Sequence, residues 1–162
     1  MSNSQELKTV FNQLIEDLME EKNYKKYQLP KEIGITYDLF LKISEYGKIP
    51  TPRILMRIAD YFNISIEYLL GRTKDTYFDK AKTNSNFQER LKYLREQKHM
   101  TEYAVTQKLH VSTSYTTTWK NPKYLPALNY LITLSEIFKV SLDYLLGRTD
   151  DAIPYKLIDS EE

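Results

Sequence analysis

The chain has 162 residues, 41% hydrophobic and 28% charged, a balance that describes a globular protein and leaves no apolar run near the ~20 residues a membrane span needs. Cysteine is absent, which excludes disulfides, zinc–thiolate sites and thiol nucleophiles. The net charge of +1 hides an asymmetry: nine Lys/Arg stand against nine Asp/Glu between Phe11 and Arg72, but nine against five between Phe87 and Arg148, so the second half carries +4.

The opening stretch MSNSQELK has no apolar core of the signal-peptide kind, and an intracellular, cytoplasmic protein is expected. Val10, Leu14 and Leu18 recur at helical spacing and alternating polarity is absent, so the elements are predicted to be helices. In LPKEIGI, Pro30 must sit within the first turn of its helix or shorten it, and Gly34 marks a turn. A third helix runs from about Thr36 to Ile43, Thr51 and Pro52 are the N-cap and first residue of a fourth, and Gly71 stops a fifth. TKDTYFDKAKTNSN then reads as a polar linker over 74–85, with Tyr77 and Phe78 expected to dock it on a neighbour.

Beyond it a helix from about Asn86 to Lys98 is followed by Thr101, an N-cap for TEYAVTQKL, and by Ser112, an N-cap for STSYTTTWK. Two short helices therefore meet across His110 and Val111. NPKYLP is a loop, Ala127–Phe138 a helix, and Ser141 caps SLDYLLG, with Gly147 as the stop. Asp150, Asp151, Asp159, Glu161 and Glu162 make residues 150–162 an acidic tail, expected to be solvated.

The stretch YLLGRT occurs at Tyr68–Thr73 and again at Tyr144–Thr149, a shift of 76. The same shift lays Phe11 on Phe87, Leu18 on Leu94, Tyr27 on Tyr103, Pro50 on Pro126, Leu55 on Leu131 and Phe62 on Phe138, with no gap from Phe11 to Asp151. The chain is one module written twice, over residues 7–73 and 86–149.

Two short helices joined by a tight turn at Gly34-Ile35 or His110-Val111, and buttressed by three more, form a helix-turn-helix plan. The residue ending the first short helix often takes a left-handed conformation, which favours glycine and, among other residues, histidine. From Arg90 to Asp150 the sequence resembles the Cro/cI-type, or XRE-type, helix-turn-helix domain of bacterial and phage repressors. The first module is similar through LPKEIGI and PRILMRIADYFNISIEYLLG. The resemblance implies an all-α protein of two tandem five-helix lambda-repressor-like domains, acting as a transcriptional repressor that binds double-stranded DNA.

It also implies that the third helix enters the major groove. In the second module this places Ser112, Thr113, Ser114, Thr117 and Thr118 at the groove, Tyr115 near its rim, and Lys108, Lys120 and Lys123 beside phosphates. Hydroxyls contact phosphates or base edges, and a threonine methyl packs on thymine. In the first module Lys26, Tyr37 and Lys42 are the corresponding DNA-binding positions. Four departures stand out: Lys26 and Glu102 replace a usual glutamine, Pro30 and Thr106 a usual alanine, Thr116 an aliphatic core residue, and Asp38 and Leu41 share the first module's groove face. That face suits protein contact better than DNA, so the alternative reading is an interaction or dimerisation scaffold, with a homodimer as the added partner.

Trp119 is expected in the core against the first helix of its module, and Tyr68 and Tyr144 are expected to pack beside Leu69 and Leu145. His99 and His110 have no ligand-spaced carboxylate or cysteine between them, so no metal site is expected. No phosphate loop, Ser-His-Asp constellation or paired catalytic carboxylates can be assembled, so neither an enzyme nor a cofactor is expected.

Overall fold

A computed structural model of the chain describes residues 2–153. The described residues form ten helices and contain no strand, and they divide into two compact units, one running through Tyr77 and the next beginning at Phe78. Asp159, Glu161 and Glu162 of the expected tail lie outside the described residues.

Unit 1 contains α1 (Ser2–Glu21), α2 (Gln28–Ile33), α3 (Tyr37–Ser44), α4 (Pro52–Phe62) and α5 (Ile66–Leu69). The stripe that α1 buries is Phe11, Ile15 and Leu18, one position away from the Val10–Leu14 register the spacing suggested; Val10 is 46% exposed. Pro30 is the third residue of α2, inside the first turn, where its missing N–H would have had no helical acceptor. The helix is accordingly short, six residues against the eight of its counterpart in unit 2. Thr51 occupies the N-cap of α4 in extended conformation, but its side chain makes no capping bond; Pro52 at the first position presets the helical φ instead. Around α2 and α3, the core is Leu29, Ile33, Phe40 and Ile43, closed by Leu55 and Ile58 of α4. Each such side chain contributes about 1.5–3 kcal/mol on burial.

Unit 2 contains α6 (Phe87–Gln97), α7 (Glu102–Leu109), α8 (Thr113–Thr118), α9 (Leu128–Phe138) and α10 (Leu142–Leu145). Asn86 and Glu89 make a reciprocal capping box at the start of α6. Thr101, Ser112 and Ser141 each accept a backbone N–H from three residues on, at 3.1, 3.3 and 3.0 Å, which satisfies one orphan donor per helix. Trp119 is 4% exposed and meets Phe87 of α6 edge-on at 6.2 Å, the core position expected of it. Tyr144 is buried, with the Arg90 guanidinium 4.2 Å above its ring.

The doubled YLLGRT has a physical reason. Its glycines, Gly71 and Gly147, stand at φ 70° and 77°, and a Cβ there would lie 2.3 Å from Val10 Cγ1 in unit 1 and 2.1 Å from the Ser85 carbonyl oxygen in unit 2. Its arginines pair with acids buried in the preceding short helix, Arg72 with Glu67 and Arg148 with Asp143. Its threonines accept the N–H of Asp75 and Asp151, which in turn accept from Tyr77 and Ile153, so the repeat continues as a matched pair of turns.

Of the two aromatics expected to dock the segment over 74–85, Phe78 does so and Tyr77 is 61% exposed: from Phe78 on the segment is part of unit 2, with the Phe78 ring 4.6 Å under the Arg148 guanidinium and the Ala81 N–H bonded to the Arg148 carbonyl at 2.8 Å. Asp150, expected in a solvated tail, is exposed but anchored. Its carboxylate accepts from the Thr83 hydroxyl, from the Lys82 and Thr83 N–H groups at 2.8 and 3.2 Å, and from Arg90 at 2.9 Å. These donors, the Thr83 hydroxyl foremost, lower its pKa to about 2.

Candidate nucleic-acid interface

The turn between the short helices is built the same way in each unit. Gly34 ends α2 at φ 71°, and His110 ends α7 at φ 54°, both left-handed, and both send their N–H back into the helix they close. Arg57 of α4 donates to the Gly34 carbonyl at 3.3 Å, fixing the corner in unit 1. A capped helix follows each corner: Thr36 Oγ1 accepts from Leu39 before α3, and Ser112 Oγ from Tyr115 before α8.

On α8, Thr113, Ser114, Thr117 and Thr118 are exposed together with the cap Ser112. Their hydroxyls are not equivalent. Thr117 and Thr118 donate to the carbonyls of Thr113 and Tyr115 at 2.8 and 2.6 Å, so outward they offer lone pairs, which suit a base amino group rather than a phosphate. Ser112 and Ser114 lie 3.0 Å apart, oxygen to oxygen. Tyr115, expected near the rim, turns to the core of unit 2: it is half-buried, edge-on to Trp119 at 5.3 Å and 5.4 Å from the Tyr130 ring. Thr116 donates to the Thr113 carbonyl of the preceding turn at 3.0 Å and also lies 3.4 Å from the Thr106 hydroxyl. The two threonines that replace an alanine and an aliphatic residue thus face each other between α7 and α8.

The cations are more occupied than their spacing implied. Lys120 sits 3.1 Å from Glu102, and Arg95 is 3.6 Å from the same carboxylate, so Glu102 meets cations of its own unit. Lys42 pairs with Asp38 one turn away at 2.7 Å, and Lys26 with Glu45 at 3.1 Å. The Glu45 hydrogen bond and charge raise the Lys26 pKa. The Lys120, Lys42 and Lys26 pairs are exposed and open to exchange for phosphate, whereas Arg95 is part-buried and also donates to the Met100 carbonyl at 3.2 Å. Lys108 and Lys123 are exposed on the same unit as α8. Tyr37 is 48% exposed, its ring 6.5 Å from that of Phe40.

Residues 15–75 match the family model of the Cro/C1-type HTH DNA-binding domain. The match supports a DNA-binding transcription regulator in general, and it covers well under half of the chain. No curated protein and no solved structure matches the chain. The Cro/C1-type segment lies in unit 1, the unit whose third helix carries Asp38 and Leu41.

The sequence reading missed one contact at this surface and the exposure of one matched pair of tyrosines. Gln88 of α6 donates to the carbonyls of Trp119, Tyr124 and Asn121 at 2.9, 3.1 and 3.4 Å, pinning the loop that carries Lys120 and Lys123. Tyr27 and Tyr103, equivalent under the 76-residue shift, are 62% and 63% exposed at the starts of α2 and α7. An aromatic held at one register without burial was the available signal. Among the described residues no group of three or more His, Cys, Asp or Glu is placed to hold a metal, and no helix is long and apolar enough to cross a membrane.

Proposed function

We propose that this chain is a sequence-specific transcriptional repressor of the cytoplasm, reading double-stranded DNA through two tandem Cro/C1-type units, residues 7–73 and 86–149. The observation that carries the reading is the recurrence of one arrangement, a short helix ended by a left-handed residue and followed by a side-chain-capped helix, at α2–Gly34–α3 inside the matched segment and at α7–His110–α8 in unit 2. The third helices α3 and α8 enter the major groove; Thr113, Ser114, Thr117 and Thr118 face base edges, while Lys108, Lys120, Lys123, Lys26 and Lys42 face phosphates. The repressor role rests on the resemblance of both modules to repressor domains, and on occlusion of a promoter as its simplest mode.

The test is DNA binding followed over a range of salt, with footprinting on the selected sites. Three to five phosphate contacts per unit give a log–log slope of roughly −3 to −5. A slope near zero, or no binding to any duplex at low salt, refutes the proposal, and a reporter that rises rather than falls with the protein refutes the repressor role alone.

A second reading has its own support: in unit 1 both lysines expected at DNA, Lys42 and Lys26, are paired with acids, Asp38 and Glu45. In that reading unit 1 makes a protein contact, such as a homodimer, and unit 2 reads DNA. Sedimentation of Leu41→Lys separates the two: dissociation of an oligomer favours the contact, whereas loss of DNA affinity at unchanged mass favours a groove position.

A further inference from the structure

Unit 2 contains a pocket of about 370 Å³ between α6, α7 and α8, within the size range of small-molecule sites. Its origin is visible in the internal repeat. The 76-residue shift lays Thr116 on Phe40 and Arg95 on Met19. In unit 1 Phe40 and Met19 are 1% and 7% exposed and belong to the core. In unit 2 the smaller threonine, and an arginine that lines the pocket wall and donates to the Met100 carbonyl at 3.2 Å, leave that volume open. The apolar lining is Leu91, Val105 and Trp119; the charged lining is Lys92, Arg95 and Lys120 against the single acid Glu102. Glu102 lies within 4 Å of Arg95 and Lys120, yet two positive charges remain in excess. Trp119 adds an indole N–H that is buried and has no hydrogen-bond partner, an unsatisfied donor on a side chain that lines the pocket.

We infer that this pocket binds a small organic anion, an apolar-bodied carboxylate whose chain or ring lies against Leu91, Val105 and Trp119 and whose head exchanges with Glu102 for Arg95 and Lys120. An apolar floor with a few convergent cations is the lining such a ligand selects. A larger residue at the Thr116 position would close the site, as Phe40 does in unit 1.

Trp119 is the chain's one tryptophan, so it reports on the site directly. The full chain is titrated with phenylacetate, hexanoate and the neutral control phenylacetamide, following Trp119 fluorescence and the amide and indole N–H resonances, without DNA. The expected result is a saturable change confined to Trp119 and the amides of α6, α7 and α8, with phenylacetamide binding about tenfold more weakly or not at all. Thr116→Phe should abolish the response with the helical spectrum kept. Should that variant fail to fold, Lys120→Gln should weaken carboxylate binding several-fold while leaving phenylacetamide unchanged. The inference is overturned if neither carboxylate produces a saturable change at millimolar concentration, or if phenylacetamide binds as well as phenylacetate. As no DNA is present, either result stands apart from the DNA-binding reading.

Discussion

Arg72 reaches back to Glu67, its Nε 2.8 Å from Oε2 of a side chain with no exposed surface, and Arg148 makes the same reach to the equally buried Asp143. The pair closes the last short helix of each unit onto the chain that leaves it. Taking away the cation strands a carboxylate where water cannot solvate it, so Arg72→Ala or Arg148→Ala should each cost about 3–5 kcal/mol. Replacing both members of a pair, as in Asp143→Leu with Arg148→Met, should cost far less. Urea denaturation of the singles and the double measures this, and singles no worse than the double would contradict it.

The glycines of the repeat should differ in their tolerance. At Gly71 an added Cβ meets the exposed side chain of Val10, which can swing away, so Gly71→Ala should cost about 1–2 kcal/mol for its left-handed backbone. At Gly147 the obstacle is the Ser85 carbonyl, and backbone does not give way. Gly147→Ala should therefore lower the melting temperature further than Gly71→Ala. Equal shifts would mean that Ser85 is free to move.

Asp150 ties the segment before α6 to the end of unit 2, and its pKa, lowered to about 2, makes that tie dependent on pH. A depressed carboxylate contributes stability that is complete above its unfolded pKa, near 4, and is lost as pH falls through the folded value. Asp150→Asn should thus destabilise the protein at neutral pH, with the gap to wild type narrowing from about pH 4 to pH 2. Denaturation midpoints measured across that range give the answer; a gap that stays constant would assign the loss to packing rather than charge.

If α8 reads bases, Thr113→Ala and Ser114→Ala should each cost about 1–3 kcal/mol of specific affinity per base pair whose reading is lost, with non-specific binding preserved. On α3, Asp38→Asn should act in the opposite sense: it releases Lys42 from its 2.7 Å pair, raising affinity and steepening the salt slope by about one. Titrations of the three variants against specific and random duplexes check both directions. Loss of affinity in Asp38→Asn would place Asp38 in base recognition instead.

Much of the local structure was legible in the residues themselves. Thr101, Ser112 and Ser141 cap the helices they precede because the capping bond spans three residues, and His110 takes the left-handed turn because few other residues do so at low cost. The 76-residue repeat likewise told which positions are equivalent, Trp119 as core among them. What it could not tell is which side chains meet across the fold. Glu102 lies eighteen positions before Lys120 and Asp150 sixty-seven after Thr83, and only folding brings either pair within hydrogen-bonding distance. The same holds for Tyr115, whose ring joins Trp119 and Tyr130 rather than the exposed face, and for residues 78–85, whose polarity suggested a linker until Asp150 and Arg148 claimed them. Caps, turns and periodicity are written within one or two helical turns, where chain connectivity supplies the geometry. Charge pairing, the membership of a connecting segment in one unit and the open volume behind Thr116 arise from segments distant in sequence, and tertiary packing alone decides them.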